Sequence, residues 1–401
     1  MAMKESGIEW VGLIPDDWKI AKNNRLFNIS KQLVNENWKN TQLLSLTKSG
    51  IIEKNINDGG GKQPESFGTY QYVEKDDIVL CLFDIDVSAV FSDRSKYDGM
   101  ISPAYRVMKC TDAILPVYAK WWFDAVNIGR YYLIYTKSLR KTIDADGFGN
   151  ILTVVPPLSE QQAIADYLDE TCSKIDEIIA EAKASIDEYK ELKIGQINKY
   201  TIHKMKRTKL KYITEKIGDG IHATPEYSDE GTIRFINGGS FGEDNIKMIG
   251  PMLSNEEYQK QNKSLLNEHT VMIALNGANF GNTSLYNNEA ILLGKSAGYI
   301  TLKSTVCREY VRYCLENSVT KEAFDLSLNG TTIPNLSLNT LRNTEICLPD
   351  YSVQKQLAKT IKKMIIKIDS LISEKESLIK DLEAYKKSLI YEVVTGKRRV
   401  V

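Results

Sequence analysis

At 401 residues the chain has room for two domains of about 150 residues and connecting helices. An apolar content of 42% and a charged content of 26% are those of a globular protein, and no apolar run is long enough for a membrane-spanning helix. Lys and Arg number 52, as do Asp and Glu, so a uniformly basic nucleic-acid binder is excluded; any charge that holds a polyanion must be local or come from a partner.

Met1 to Trp10 has no apolar core and no cleavage-type ending, so we expect no export signal and a cytoplasmic location. Cys81, Cys110, Cys172, Cys307, Cys314 and Cys347 form no CxxC pair, and only three histidines accompany them. Buried free thiols are expected rather than a structural zinc.

Residues 1–155 read as an α/β (α+β) domain with much irregular structure. Asp77 to Phe83 predicts a strand and Leu115 to Tyr132 a short helix, and a loop from Lys141 to Thr153 follows. Residues 156–205 predict one long helix. Ile164, Leu168, Ile175, Ile178, Ile179, Ala182, Ile186, Tyr189 and Ile197 recur at three- and four-residue steps, and charged residues fill the other faces. Ser159 and Gln162 predict a capping box behind Pro156 and Pro157. Residues 206–347 read as a second α/β domain. Val271 to Leu275 predicts a strand ending in the turn Asn276 to Asn279, Val306 to Asn317 predicts a helix, and a loop runs from Asn329 to Arg342. Residues 348–401 predict a second long helix. Leu357, Ile361, Met364, Ile365, Ile368, Leu371, Ile372, Leu378, Ile379, Leu382, Tyr385 and Leu389 form its stripe, and Ser352 is the expected cap. Each helix would run roughly 60 Å at 1.5 Å per residue, longer than one small domain. Two long antiparallel, coiled-coil-like helices separating two domains is the expected architecture. Ile164, Leu168, Ile175, Ile179, Ile186, Leu357, Ile361, Ile368, Ile372 and Ile379 are its expected helix-pair or partner interface.

The two halves repeat one plan. With Ser159 aligned to Ser352 and no gap, Gln161 meets Gln354, Ala165 meets Ala358, and Lys174-Ile175-Asp176 meets Lys367-Ile368-Asp369. The same register carries Ile179 onto Ile372, Glu181 onto Glu374, Ile186 onto Ile379 and Ile197 onto Ile390. A period of roughly 190 residues is too long for a solenoid and indicates a tandem duplication with pseudo-twofold character.

Motifs for chemistry are missing. Gly294-Lys295-Ser296 resembles the tail of a phosphate-binding loop, but Glu289 stands where that loop needs glycine. The only Pro-Pro, at Pro156-Pro157, lacks the polar and aromatic neighbours of an adenine methyltransferase loop. Cys307 and Cys314 share a helix face without partner ligands and read as core. No catalytic residue and no metal ligand is assigned.

Along its whole length the sequence resembles the specificity subunits of type I restriction–modification systems. The phrases that carry this are Gly7 to Lys19 at the start, Pro156-Pro157-Leu158-Ser159-Glu160-Gln161-Gln162 at the central helix, and Leu389 to Lys397 at the close. Gly218 to Pro225 and Asn329 to Leu336 are similar to further phrases of that family. The resemblance implies two target-recognition domains on double-stranded DNA, each reading one half of an asymmetric split target. The helices would fix the unread spacer. It implies two modification subunits that carry S-adenosylmethionine and methylate adenine, and restriction or translocase subunits that join them. The chain itself would be non-catalytic, bind no cofactor and touch no membrane. Two other classes stay open from the residues alone: a helical scaffold that reads no DNA, and an enzyme with a site built from unrelated loops.

Residue chemistry suggests where DNA would be touched, since amides and hydroxyls in Gly-rich loops suit base edges and nearby Lys or Arg suits phosphate. In the first domain these are Lys62, Gln63, Arg94, Lys96, Arg140 and Lys141. In the second they are His222, Thr224, Asn237, Ser240, Asn276, Asn279, Lys295, Thr331, Thr332 and Asn335. Each serves equally as a turn or solvated residue. Lys204, Lys206, Arg207, Lys209 and Lys211 form the one clear basic run, which reads either as a phosphate contact or as a solvated linker.

Overall fold

A computed structural model gives the fold of every residue except 1, 31, 49, 57–65, 88–90, 137–139, 203–206, 243, 263, 329–334 and 401. The chain divides into two compact units, one of Met1–Ala182 with Ser377–Val401, the other of Lys183–Glu376. Each unit combines one α/β domain with part of each long helix.

The two domains share one topology. In the first, a four-stranded antiparallel sheet runs Phe27–Ile29, Arg106–Cys110, Ile78–Leu80, Ser92–Arg94. In the second, the order is Thr214–Asp219, Ala297–Leu302, Thr270–Ala274, Thr283–Leu285. The predicted strands at Asp77 and Val271 are the third member of each sheet. A second sheet in each domain contains one parallel pair, Leu43–Thr47 with Gly99–Ile101 and Ile233–Ile236 with Ile291–Leu293. Each domain is closed by its own ends. Lys19–Lys22 pairs with Leu152–Val155, and Arg207–Lys209 pairs with Glu345–Cys347. The short helices Pro116–Ile128 and Arg308–Glu316, termed buttress helices below, cover the sheets. Their apolar faces bury Tyr118, Trp122 and Phe123 in one unit and Tyr310, Val311 and Cys314 in the other.

The long helices are Leu158–Thr201, the central helix, and Tyr351–Val394, the C-terminal helix, each of 44 residues. At 1.5 Å per residue each runs roughly 66 Å. Among the described residues no helix is long and apolar enough to cross a membrane. In the first unit Ile164, Leu168, Ile175 and Ile179 pack with Leu389, Ile390, Val393 and Val394. In the second, Ile361 packs with Ile197, flanked by Leu357 and Ile365. Ile186 and Ile368 are buried, and Ile372 and Ile379 half-buried. The helices run antiparallel in each unit, as two ion pairs show: Asp176 with Lys386 at 2.6 Å, and Asp369 with Lys193 at 2.7 Å. These are repeat equivalents with the helices exchanged, since the register that matches Asp176 to Asp369 also matches Lys193 to Lys386. Exposed pairs of this kind add little stability but favour one orientation.

The predicted capping box does not form. The central helix begins at Leu158, two residues before the start that a Ser159 cap implies, and the amide of Gln161 donates to the carbonyl of Pro157 at 2.9 Å. Ser159 therefore lies inside the first turn, and the Gln162 amide donates to Asp166 at 2.7 Å instead. Ser352 likewise follows the start at Tyr351, where Gln354 bonds back to the carbonyl of Asp350 at 2.9 Å. A proline preceding a helix fixes the entry of the chain without needing a hydroxyl cap.

The opening and closing phrases of the sequence meet in the first unit. The Tyr391 hydroxyl donates to the carbonyl of Trp10 at 3.0 Å, and Trp10 stacks on Tyr131 with ring centroids 4.1 Å apart. Arg399 pairs with both Asp17 and Glu160, and the Trp18 indole donates to Glu160 at 2.6 Å. Gly396 ends the C-terminal helix at φ +73°, and a Cβ there would stand 2.4 Å from Pro15. Replacing Gly396 with Ala should destabilise the first unit by about 1–3 kcal/mol, because a left-handed backbone and a blocked approach coincide. Thermal melting of the full chain checks this; an unchanged Tm would refute the contact.

Candidate nucleic-acid interface

Loops of the second unit converge at one end of its sheets. Strands Ile233–Ile236, Thr270–Ala274 and Ile291–Leu293 end there, Ala297–Leu302 begins there, and Thr214–Asp219 arrives beside it. Cross-links then hold the loops together. The amide of Gly238 donates to the Ser296 hydroxyl at 2.9 Å, which donates to Asn237 at 3.1 Å. The Asn279 amide donates to the carbonyl of Gly239 at 3.0 Å. Single backbone bridges pair Ile221 with Gly294 and Asn276 with Asn335. Six sequence-predicted residues, His222, Asn237, Asn276, Asn279, Lys295 and Asn335, thus lie on or directly beside the loops joined at this end, and Thr224 follows His222 by two residues.

The geometry sorts them by role. Asn237 and Asn279 use side-chain atoms to tie loops together. Ser240 is buried at 6% exposure with its hydroxyl toward the carbonyl of Ile249 at 3.5 Å, so it shapes the loop rather than facing outward. Thr224, Lys295 and Asn335 are exposed, Asn276 half-buried, and exposed His222 sits 2.9 Å from Asp219. Two neighbours escaped the sequence. Exposed Lys247 bonds through its amide to the carbonyl of Ser240 at 3.0 Å, and Ile249 is 71% exposed. Both lie in an unpatterned loop that gives no periodic signal. Thr331 and Thr332 lie outside the described residues.

The first unit has the equivalent end. The amide of Ile143 donates to the carbonyl of Leu82 at 2.9 Å, as that of Leu336 donates to Leu275 at 2.7 Å. Arg140 and Lys141 are exposed here, their carbonyls accepting from Asp84 and Ile85. Arg94 and Lys96 are not brought to this end. Arg94 is opposite Ile78, at the far end of the sheet, 3.5 Å from Asp76. Both line a cavity of about 590 Å³ with Lys120, Trp121, Asp169 and Lys386. Lys62 and Gln63 lie outside the described residues. Of the basic run, Lys204 and Lys206 also lie outside them. Arg207, Lys209 and Lys211 lead into strand Thr214–Asp219 from the end opposite the loop surface.

Each buttress helix carries a repeat-related ion pair toward the long helices. Lys120 meets Asp124 at 2.9 Å, and Arg312 meets Glu316 at 3.1 Å and also Asp244. Burial pushes the Asp124 carboxyl above its ordinary value, which Lys120 only partly offsets. Burial also pushes Asp244 up, but the hydrogen bond and charge of Arg312, with Lys362, bring it below its ordinary value. A lowered carboxyl pKa stabilises the fold above the unfolded value and loses that contribution as pH falls through the folded one. The Arg312 side chain is 8% exposed. Arg312→Leu should therefore cost about 3 kcal/mol, chiefly by leaving the mostly buried Glu316 without its cation, while Asp244 keeps only Lys362. Its Tm should also fall less steeply than wild type below about pH 4. Parallel acid limbs in thermal melts of the two proteins would contradict this.

Burial pushes the thiols of Cys172 and Cys307 up to about 11 and that of Cys110 up to about 12, and raises Cys314 as well. These are inert core thiols. Among the described residues no group of three His, Cys, Asp or Glu side chains is arranged to hold a metal ion.

Comparison with known proteins joins these observations. Residues 195–381 match the family model of the type I restriction modification DNA specificity domain. The type I restriction enzyme MjaVIII specificity subunit of Methanocaldococcus jannaschii is 24% identical over 305 residues, covering 67% of this chain and 70% of its own. A chain solved for the structural basis of complex assembly and conformational transition of the type I R-M system superposes with a TM-score of 0.77 at 14% identity. That match covers 96% of this chain and 99% of the other. The HsdS subunit from Thermoanaerobacter tengcongensis gives 0.57 at 13% identity, covering 96% and 98%. The solved structures share the fold of this chain, and its residues 195–381 belong to the family of the type I restriction modification DNA specificity domain.

Proposed function

We propose that the chain reads an asymmetric, bipartite DNA target, one half-site at the loop end of each unit, and directs adenine methylation and restriction by partner subunits. Subunits of this family specify the target and are not themselves catalytic. The observation that carries the proposal is the same loop end built twice on one topology but with different side chains. Two unlike surfaces on one plan suit two unlike half-sites.

At the second surface, the Asn276 and Asn335 amides match the donor and acceptor edge of adenine, and exposed Ile249 suits a thymine methyl. Lys295 and Lys247 would hold phosphates, which fixes register without reading sequence. At the first surface, Arg140 and Lys141 take that part. The long helices, which join the units in sequence, would set the spacer. Two modification subunits would bring S-adenosylmethionine and the methylating site, and this chain would hold no cofactor. Restriction or translocase subunits would complete the complex on double-stranded DNA in the cytoplasm. A net charge of zero leaves part of the attraction for DNA to those partners.

Methylome sequencing of cells carrying all subunits, with and without this gene, tests the proposal. A split adenine-methylated motif should vanish with the gene. An unchanged pattern with active partners would favour a scaffold instead, and methyl transfer by the purified chain alone would defeat the non-catalytic role.

A further inference from the structure

We propose that Gln161 and Gln354 are positioning residues: buried amide latches that fix each recognition domain on its long helix and so restrict the spacer the protein accepts. The inference rests on the bipartite reading above.

Both side chains are almost wholly buried, at 0% and 2% exposure, yet the oxygen and the nitrogen of each are hydrogen-bonded. The Gln161 oxygen accepts from the amide of Leu115 at 2.7 Å, and its nitrogen donates to the carbonyls of Pro156 at 2.9 Å and Ala113 at 3.1 Å. The Gln354 oxygen accepts from the amide of Cys307 at 2.9 Å, and its nitrogen donates to Pro349 at 2.7 Å. Leu115 and Cys307 are the N-cap residues of the buttress helices, and neither has a side chain that caps. Pro156 and Pro349 precede the long helices. One amide thus joins the start of each buttress helix to the start of a long helix, with equivalent partners in both repeats.

The mechanical path is short. Each buttress helix packs on its recognition sheet, against Ser92–Arg94 in one unit and Thr283–Leu285 in the other. A shift of that helix would carry the sheet and its loop end with it. Apolar packing between helices tolerates sliding, because it is not directional. A bidentate amide does not, because its bonds weaken steeply off line. In the second unit the far end of the buttress helix is also tied, by Asn317 to Thr201 at 3.1 Å. A sheet held at both ends of its buttress is a reader with a fixed frame.

The test uses the full chain with its own modification subunits in a host that lacks adenine methylation. Gln161→Leu, Gln354→Leu and the volume-keeping Gln161→Met and Gln354→Met are compared with wild type by long-read methylome sequencing, which samples every spacer length present in the genome. Wild type should methylate one spacer. The variants should keep both half-sites but raise the methylated fraction at spacers one base pair longer or shorter by about fivefold or more, as expected when a supporting contact is loosened. Variants confined to the native spacer overturn the latch while leaving the bipartite reading intact. A wild-type complex that methylates no split target overturns that reading itself. Loss of all methylation by folded variants would show that the amides do more than select the spacer, failure of both Met variants to fold would assign them to folding, and either overturns the proposal.

Discussion

Exchanging residues 24–151 for the matching segment of another family member should change one half-site of the methylated target and leave the other half-site and the spacer as they were. The boundaries come from the packing. Strands Lys19–Lys22 and Leu152–Val155 close the first domain, so cuts just inside them keep both strands native. Residues before the cut must stay, because Trp10 and Trp18 belong to a core shared with Leu389, Ile390, Val393 and Val394. Exchange of residues 1–155 as a block would replace that contact surface and risks losing the fold. The expected effect is large. Each mismatched base pair costs about 1–3 kcal/mol, so a half-site mismatched at several positions falls to background methylation. Methylome sequencing of the hybrid reads the outcome directly. A change in both half-sites, or in neither, would show that the first domain is not an independent reader.

Lys295→Glu should weaken binding of the assembled complex to its target by about 10- to 100-fold near physiological salt, and reduce the salt slope by at least about one. Lys295 stands exposed on a loop whose backbone is held from both sides. The amide of Gly294 donates to Ile236 at 2.8 Å, and that of Ala297 returns to Gly294 at 2.9 Å. Substitution there changes charge and leaves shape, so Tm should hold. Lys303→Glu is the control. Lys303 follows the opposite end of strand Ala297–Leu302, where its ammonium meets the carbonyl of Tyr212 at 2.9 Å. Fluorescence anisotropy across a salt series compares the two. Equal losses for both variants would mean that net charge, rather than the loop surface, governs binding.

The sequence by itself determined the elements whose signal is local and periodic. Apolar residues at three- and four-residue steps specify both long helices, because only one face of such a helix can be buried. The ungapped match from Ser159 to Ile197 against the chain's last segment revealed the duplication, and the buried strands near Val79 and Met272 announced themselves by composition. Polar loop residues could be named in the second domain because Asn, Gly and Thr cluster there in runs.

Tertiary structure decided everything that depends on which distant segments meet. It joined Asn276 to Asn335 and Ser296 to Asn237, and separated Arg94 from Arg140 by the length of a strand, although all are equally plausible in one dimension. It brought Trp10 to Tyr391, placing both ends of the chain in one unit. It also moved the start of the central helix two residues back from the one a Ser159 cap implies and gave Gln161, rather than Ser159, the decisive hydrogen bonds. A buried amide chooses among partners by position in space, and no spacing along the chain encodes that choice.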